Sequence, residues 1–159
     1  MKRTVALLYN HRKSGVAGTV RSLARTLERR YRLVCSPAQP AVRLASGIDV
    51  VVTLGGDGTM LCVADTLVRR RLPVLGVNMG GMGYLAEFGV REVAGTLESF
   101  FAGKFHPSRR AVLSVSWPGG RRYAINDGVL RSAGPKIVRV DVHVDGEYLE
   151  DIIGDGVIV

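Results

Sequence analysis

The sequence has 159 residues, 47% hydrophobic and 23% charged, with 20 glycines and a formal charge of +8. That length holds one ordinary domain, or a small domain and part of another, and the composition excludes a disordered chain. No apolar run approaches the roughly 18 residues of a membrane span, the first ten residues do not form a signal peptide, and no recognition-helix, zinc-finger or aromatic RNA-binding pattern accompanies the basic charge. A cytoplasmic protein with neither membrane nor nucleic-acid partner is therefore expected.

Residues 4–9 read as a short apolar strand, and 10–14 as a polar turn. Arg12 and Lys13 then stand at the carboxyl end of a first parallel strand, where open α/β sheets bind ligands. They read equally as phosphate contacts or as a solvated loop. Val16, Val20, Leu23, Ala24 and Leu27 recur at helical spacing, which predicts a helix over 15–30. A second strand follows over 32–36, a loop over 37–40 and one helical turn over 41–46. Cys35 and Cys62 lie far apart without metal spacing, so both are expected as buried free thiols.

A strand is expected over 48–54, whose unbroken β-branched run Val50-Val51-Val52-Thr53 is the mark of a buried parallel strand, and Gly55-Gly56-Asp57-Gly58-Thr59 follows it directly. Glycines without Cβ let backbone N–H groups approach an anion, and the helix start that follows adds partial positive charge. Asp57 is out of place among groups suited to phosphate. It reads either as a helix N-cap or as a group that accepts a proton or orients a hydroxyl or a metal ion. The helix runs to about 70 with Met60, Leu61, Val63, Ala64, Leu67 and Val68 inward, and Arg69-Arg70-Arg71 reads as its solvated end.

Another parallel strand is expected over 74–77, which makes the alternation that of an open doubly wound sheet. Asn78-Met79-Gly80-Gly81-Met82-Gly83-Tyr84-Leu85 follows as a second glycine-rich loop, expected at the same sheet edge as the first. Gly81 to Ala86 fits G-x-G-x-x-A, but without a helix opening directly after it the match to the dinucleotide fingerprint is weak. Asn78 reads as a polar contact, and Tyr84 as an aromatic face for a base or as core packing. The last helix is expected over 90–101.

Beyond that helix the period changes to alternation, with strands over 110–117, 121–131, 136–144 and 148–159 and turns at Pro118-Gly119-Gly120, Gly134-Pro135 and Asp145-Gly146. The fold expected is thus α/β: an N-terminal open doubly wound, Rossmann-like sheet followed by the start of an all-β domain. Residues 1–104 form the α/β nucleotide-kinase-like part and 105–159 an incomplete β-rich part. His11, His106 and His143 have no ligand-like partner.

Four pieces together carry a family resemblance: the Gly55-Gly56-Asp57-Gly58-Thr59 turn, the loop from Asn78 to Leu85, Asn126-Asp127 within the β region, and Gly154-Asp155-Gly156-Val157-Ile158-Val159. The chain resembles the ATP-NAD kinase family, which phosphorylates the adenosine ribose 2′-hydroxyl of NAD to give NADP. The resemblance implies that Asp57 orients or deprotonates that hydroxyl, and that Gly55, Gly56, Gly58 and Thr59 lie near phosphate. It implies contacts to NAD from Asn126, Asp127, Tyr84 and Asp155, with ATP or another phosphoryl donor and a divalent cation, Mg²⁺ by preference, whose ligands are unassigned.

It also implies a homodimer or homotetramer. Alternation would put Asn126 and Asp127 on opposite strand faces unless a bulge at Gly128 intervenes, while the pair also reads as a turn signal. The family often carries Glu where Asp127 stands. Val159 comes just before the family's Thr-Gly-Ser-Thr-Ala-Tyr stretch, so an incomplete second domain, inactive by itself, is expected. A lipid kinase sharing the glycine turn and a non-catalytic nucleotide-binding module are the other readings. Phosphorylation of lipid vesicles would mark the first, and nucleotide binding without turnover the second.

Overall fold

The computed structural model of the chain describes residues 2–80 and 83–159. The chain divides into two compact units, Met1–Ala111 and Val112–Val159. Gly81 and Met82, part of the second glycine-rich loop and of the G-x-G-x-x-A match, lie outside the described residues.

In the first unit the β-branched and aliphatic runs become five parallel strands: β1 (Thr4–Tyr9), β2 (Arg32–Pro37), β3 (Val50–Gly55), β4 (Val74–Asn78) and β5 (Phe88–Gly89). Their order is β2-β1-β3-β4-β5. Helix α1 (Val16–Leu27) joins β1 to β2, α2 (Asp57–Arg70) joins β3 to β4, and α3 (Val93–Phe101) follows β5. Val5, Leu7, Val50, Val52 and Leu54 pack on one face with Val20, Leu23 and Leu27 of α1 and Val93 and Leu97 of α3. Ala6, Leu8 and Val51 pack on the other with Val63 and Leu67 of α2. Every residue of β3 is buried, as its lack of alternation requires for a strand covered on both faces. The unit is an open doubly wound sheet. The chain steps outward from β1 to β2 and then crosses back to β3, so a topological switch point lies beyond the carboxyl ends of β1 and β3.

Three local expectations fail for physical reasons. Residues 41–46 form no helical turn. Ala41 has φ 54°, Thr66 donates to the Val42 carbonyl at 3.4 Å, and the Arg70 guanidinium donates to the carbonyls of Leu44 and Ala45 at 2.6 and 2.7 Å. Side chains of α2 thus take carbonyls that a helix would have used, and Arg70 is not merely a solvated helix end. Neither cysteine is buried: Cys35 is exposed on edge strand β2, and Cys62 is partly covered on α2. The last helix is preceded by the short strand β5 and a 3-10 turn over Val90–Glu92. Glu92 there accepts the Gly89 N–H at 2.6 Å, half of a capping box.

The second unit holds three two-stranded antiparallel ladders. They pair β6 (Leu113–Trp117) with β7 (Gly120–Ala124), β8 (Val129–Arg131) with β11 (Gly156–Ile158), and β9 (Val138–Val144) with β10 (Glu147–Gly154). The strand expected over 121–131 is broken into β7 and β8, and that over 148–159 into β10 and β11. In β9 the valines 138, 140 and 142 are half-buried while Arg139, Asp141 and His143 are exposed, the alternation of a one-sided strand. Asp145 and Gly146 close the β9–β10 hairpin with φ 53° and 89°, the doubly positive pattern of a two-residue turn matched to strand twist. Gly146→Ala forces a Cβ into the left-handed region and is expected to cost about 1 kcal/mol. Denaturant unfolding that leaves the midpoint unchanged would refute this.

Candidate active site

The two glycine-rich loops leave neighbouring strands in register, Gly55 paired with Asn78. Each loop is then tied to the other. The Met79 N–H donates to the Gly55 carbonyl at 3.1 Å, and the Asn78 side-chain oxygen accepts the Gly80 N–H at 2.9 Å, a local Asx-type turn.

Asp57 makes the decisive link. Gly56 is the residue before the helix and offers no side-chain cap, and Asp57 is already the first helical residue. The N-cap reading is therefore wrong. Its carboxylate reaches across to the second loop, where Oδ2 accepts the Tyr84 N–H at 2.8 Å and Oδ1 accepts those of Leu85 and Ala86 at 3.0 and 2.9 Å. Three consecutive amides converge on one carboxylate. The Ala86 amide and then the Tyr84 amide, with a lesser contribution from Leu85, hold the Asp57 carboxyl below its ordinary range against a desolvation that acts in the other direction. Such a carboxylate is ionised at any physiological pH, a good hydrogen-bond acceptor and a poor proton acceptor.

The glycines serve different ends. A Cβ on Gly55 would sit 2.1 Å from the Thr59 hydroxyl, and one on Gly83 would sit 2.6 Å from Asp57 Oδ1, so both positions exist for close approach within the chain. Gly56 and Gly58 meet nothing within 4 Å at an added Cβ and border open space. Thr59 is buried with its hydroxyl against Gly55. Tyr84 is 74% exposed, which removes the core-packing reading, and the Arg110 guanidinium lies 5.4 Å from its ring centre. By sequence Lys13 fits a phosphate contact or a solvated loop alike. Its Nζ donates to the Gly55 carbonyl at 3.0 Å.

Asp57, the Gly55–Gly58 turn, Thr59, Asn78 and Tyr84 belong to the first unit; Asn126, Asp127 and Asp155 belong to the second. Asn126 and Asp127 are exposed and lie in the bend between β7 and β8, not in a strand, so the turn reading of that pair holds and no bulge is needed. Directly after them Gly128 exchanges both backbone hydrogen bonds with Val159, at 2.7 and 3.0 Å. Asp155 lies before β11, its carbonyl accepting the Ser132 N–H at 2.8 Å and its carboxylate 3.4 Å from Arg131. The antiparallel β8–β11 ladder therefore places Asp155, level with Ser132, five residues of strand from Asp127, about 17 Å. Among the described residues no cluster of three or more His, Cys, Asp or Glu could hold a metal ion.

Residues 41–105, which contain both glycine loops and the Asp57 link, match the ATP-NAD kinase N-terminal domain. An NAD kinase of Nitratidesulfovibrio vulgaris is 39% identical over 128 residues, covering 77% of this chain and 43% of the relative. The chain belongs to the ATP-NAD kinase family. The Archaeoglobus fulgidus NAD kinase, solved in complex with ATP, superposes with a TM-score of 0.68 at 27% identity, over 98% of this chain and 59% of that one. Yeast NADH kinase, complexed with NADH, shares the fold with a TM-score of 0.76 at 18% identity, over 99% of this chain and 54% of that one. The ATP-NAD kinase chain described here thus spans about half the length of the relatives it matches.

Proposed function

We propose that the protein to which this chain belongs is an NAD kinase, transferring a phosphoryl group from ATP to the 2′-hydroxyl of the adenosine ribose of NAD. The observation that carries the proposal is the Asp57 carboxylate fixed by three amides where two glycine loops meet. A secondary alcohol is a weak nucleophile, and in-line attack on a phosphoryl group depends on holding its oxygen in place. A carboxylate with one lone-pair direction free of amides can accept that hydroxyl's hydrogen bond and orient it.

Gly56 and Gly58 leave room for phosphate oxygens at the open side of the turn, and Tyr84 offers a ring face for a base. Residues 1–104 would supply this part of the site. Residues 105–159, through Asn126, Asp127 and Asp155, would contribute contacts to the dinucleotide, an amide offering donor and acceptor and the carboxylates accepting. The described residues form no protein cage for a metal, so the divalent cation is proposed to enter with the donor's phosphates. A cytoplasmic location and a homodimer or homotetramer belong to the same proposal.

The test is an NADP assay on the complete protein with NAD, ATP and Mg²⁺. NADP formation is the expected result. Binding of NAD and ATP without NADP would overturn it and favour a non-catalytic module.

A further inference from the structure

Lys13 has no place in the chemistry so far, yet its position is tightly built. After β1 the Asn10 N–H donates to the Leu54 carbonyl at 3.1 Å. The Asn10 side-chain oxygen accepts the Arg12 N–H at 3.1 Å, and its backbone carbonyl accepts that of Lys13 at 3.0 Å. This turn sends the half-buried lysine side chain over the switch point between β1 and β3, where Nζ bonds the Gly55 carbonyl at 3.0 Å. That carbonyl also holds the Met79 N–H at 3.1 Å, and a Cβ on Gly80 would come within 2.9 Å of Nζ. One ammonium group is therefore bonded to the first glycine loop and lies beside Gly80 of the second.

An ammonium has three N–H donors, and here one goes to a neutral carbonyl. Among the described residues no carboxylate pairs with it. Ordering a long side chain for one such bond returns little stability, because lost rotamer freedom offsets most of it. A cation held at a switch point beside open glycines is instead suited to an anion. We propose that Lys13 binds the phosphate chain of the phosphoryl donor at the Gly55–Gly58 turn. The identity of that donor rests on the NAD kinase reading; the anion site itself does not.

The experiment is calorimetric titration of the chain with inorganic tripolyphosphate, followed by donor kinetics in the complete protein. Lys13→Met is expected to weaken tripolyphosphate binding at least about tenfold, the size of one charge-assisted hydrogen bond, and Lys13→Arg to recover most of it. Gly80→Ala, which displaces the amine without removing it, is expected to weaken binding to a lesser degree and guards against a folding defect in the first variant. In turnover, Lys13→Met raises KM for ATP and leaves KM for NAD unchanged. Equal tripolyphosphate affinity in wild type and Lys13→Met, or no binding by wild type, overturns the assignment. Lys13-dependent binding in a protein that makes no NADP would sustain it while removing the NAD kinase reading.

Discussion

Gly76→Val is expected to destabilise the first unit by about 3 kcal/mol. On sequence grounds the substitution looks favourable, because Gly76 lies inside β4 and valine has the higher strand propensity, worth up to about 1 kcal/mol. The surroundings decide otherwise. A Cβ there would lie 2.6 Å from Met60 Cε, 2.7 Å from the Leu85 carbonyl oxygen and 2.8 Å from Ala86 Cα. The methionine tip can move, but the other two are backbone, and the same two residues are tied by their amides to Asp57. Relief of the clash must pull that segment from the carboxylate.

Adding Met60→Ala should therefore not rescue Gly76→Val. Gly18→Ala is the control, since nothing lies within 4 Å of its added Cβ in α1, and it should stabilise by about 0.5–1 kcal/mol. Denaturant midpoints decide, and an unchanged midpoint for Gly76→Val would refute the packing argument.

The same contrast explains what could be read in the sequence. The β3 run and the amphipathic stripe of α1 are local patterns, and both elements form close to where periodicity puts them. The Asp145–Gly146 turn is legible because its residue types tolerate positive φ. Strand β5 escapes because two residues without a β-branched side chain carry no period; pairing with Val77 and Asn78 alone makes them a strand. The loop at 41–46 depends on Arg70 and Thr66, more than 20 residues away, and Cys35 is exposed because β2 is an edge, a property of strand order.

At the candidate site the glycine turn announces itself, but the partners of Asp57 lie 27 to 29 residues onward and are backbone amides, which no side-chain pattern records. Lys13 is legible only as a basic residue after a strand; its contact with Gly55 is a fact of the β1–β3 adjacency.

Replacing Asp57 should have the largest effect on turnover. Asp57→Asn in the complete protein is expected to lower kcat by roughly 10²-fold, the cost of losing the geometry of a reacting group, and to raise KM for NAD much less. Asn can still accept at its oxygen, but its NH₂ would face an amide N–H, so part of the loop anchor goes as well. Asp57→Ala leaves the amides of Tyr84, Leu85 and Ala86 without their acceptor. Hydrogen exchange at those three positions should accelerate while that of β3 amides stays unchanged.

The pH dependence separates orienting from deprotonating. Because the folded Asp57 pKa is depressed, the anchor is complete above the unfolded carboxyl value of about 3.9 and is lost only as pH falls through the lower folded value. The three amides should thus stay protected at pH 5, and Asp57 should contribute no acid limb to kcat between pH 5 and 8. An acid limb near pH 6–7 that disappears in Asp57→Asn would show a carboxylate working as a general base, and the orienting role drawn from the three amide contacts would then be wrong.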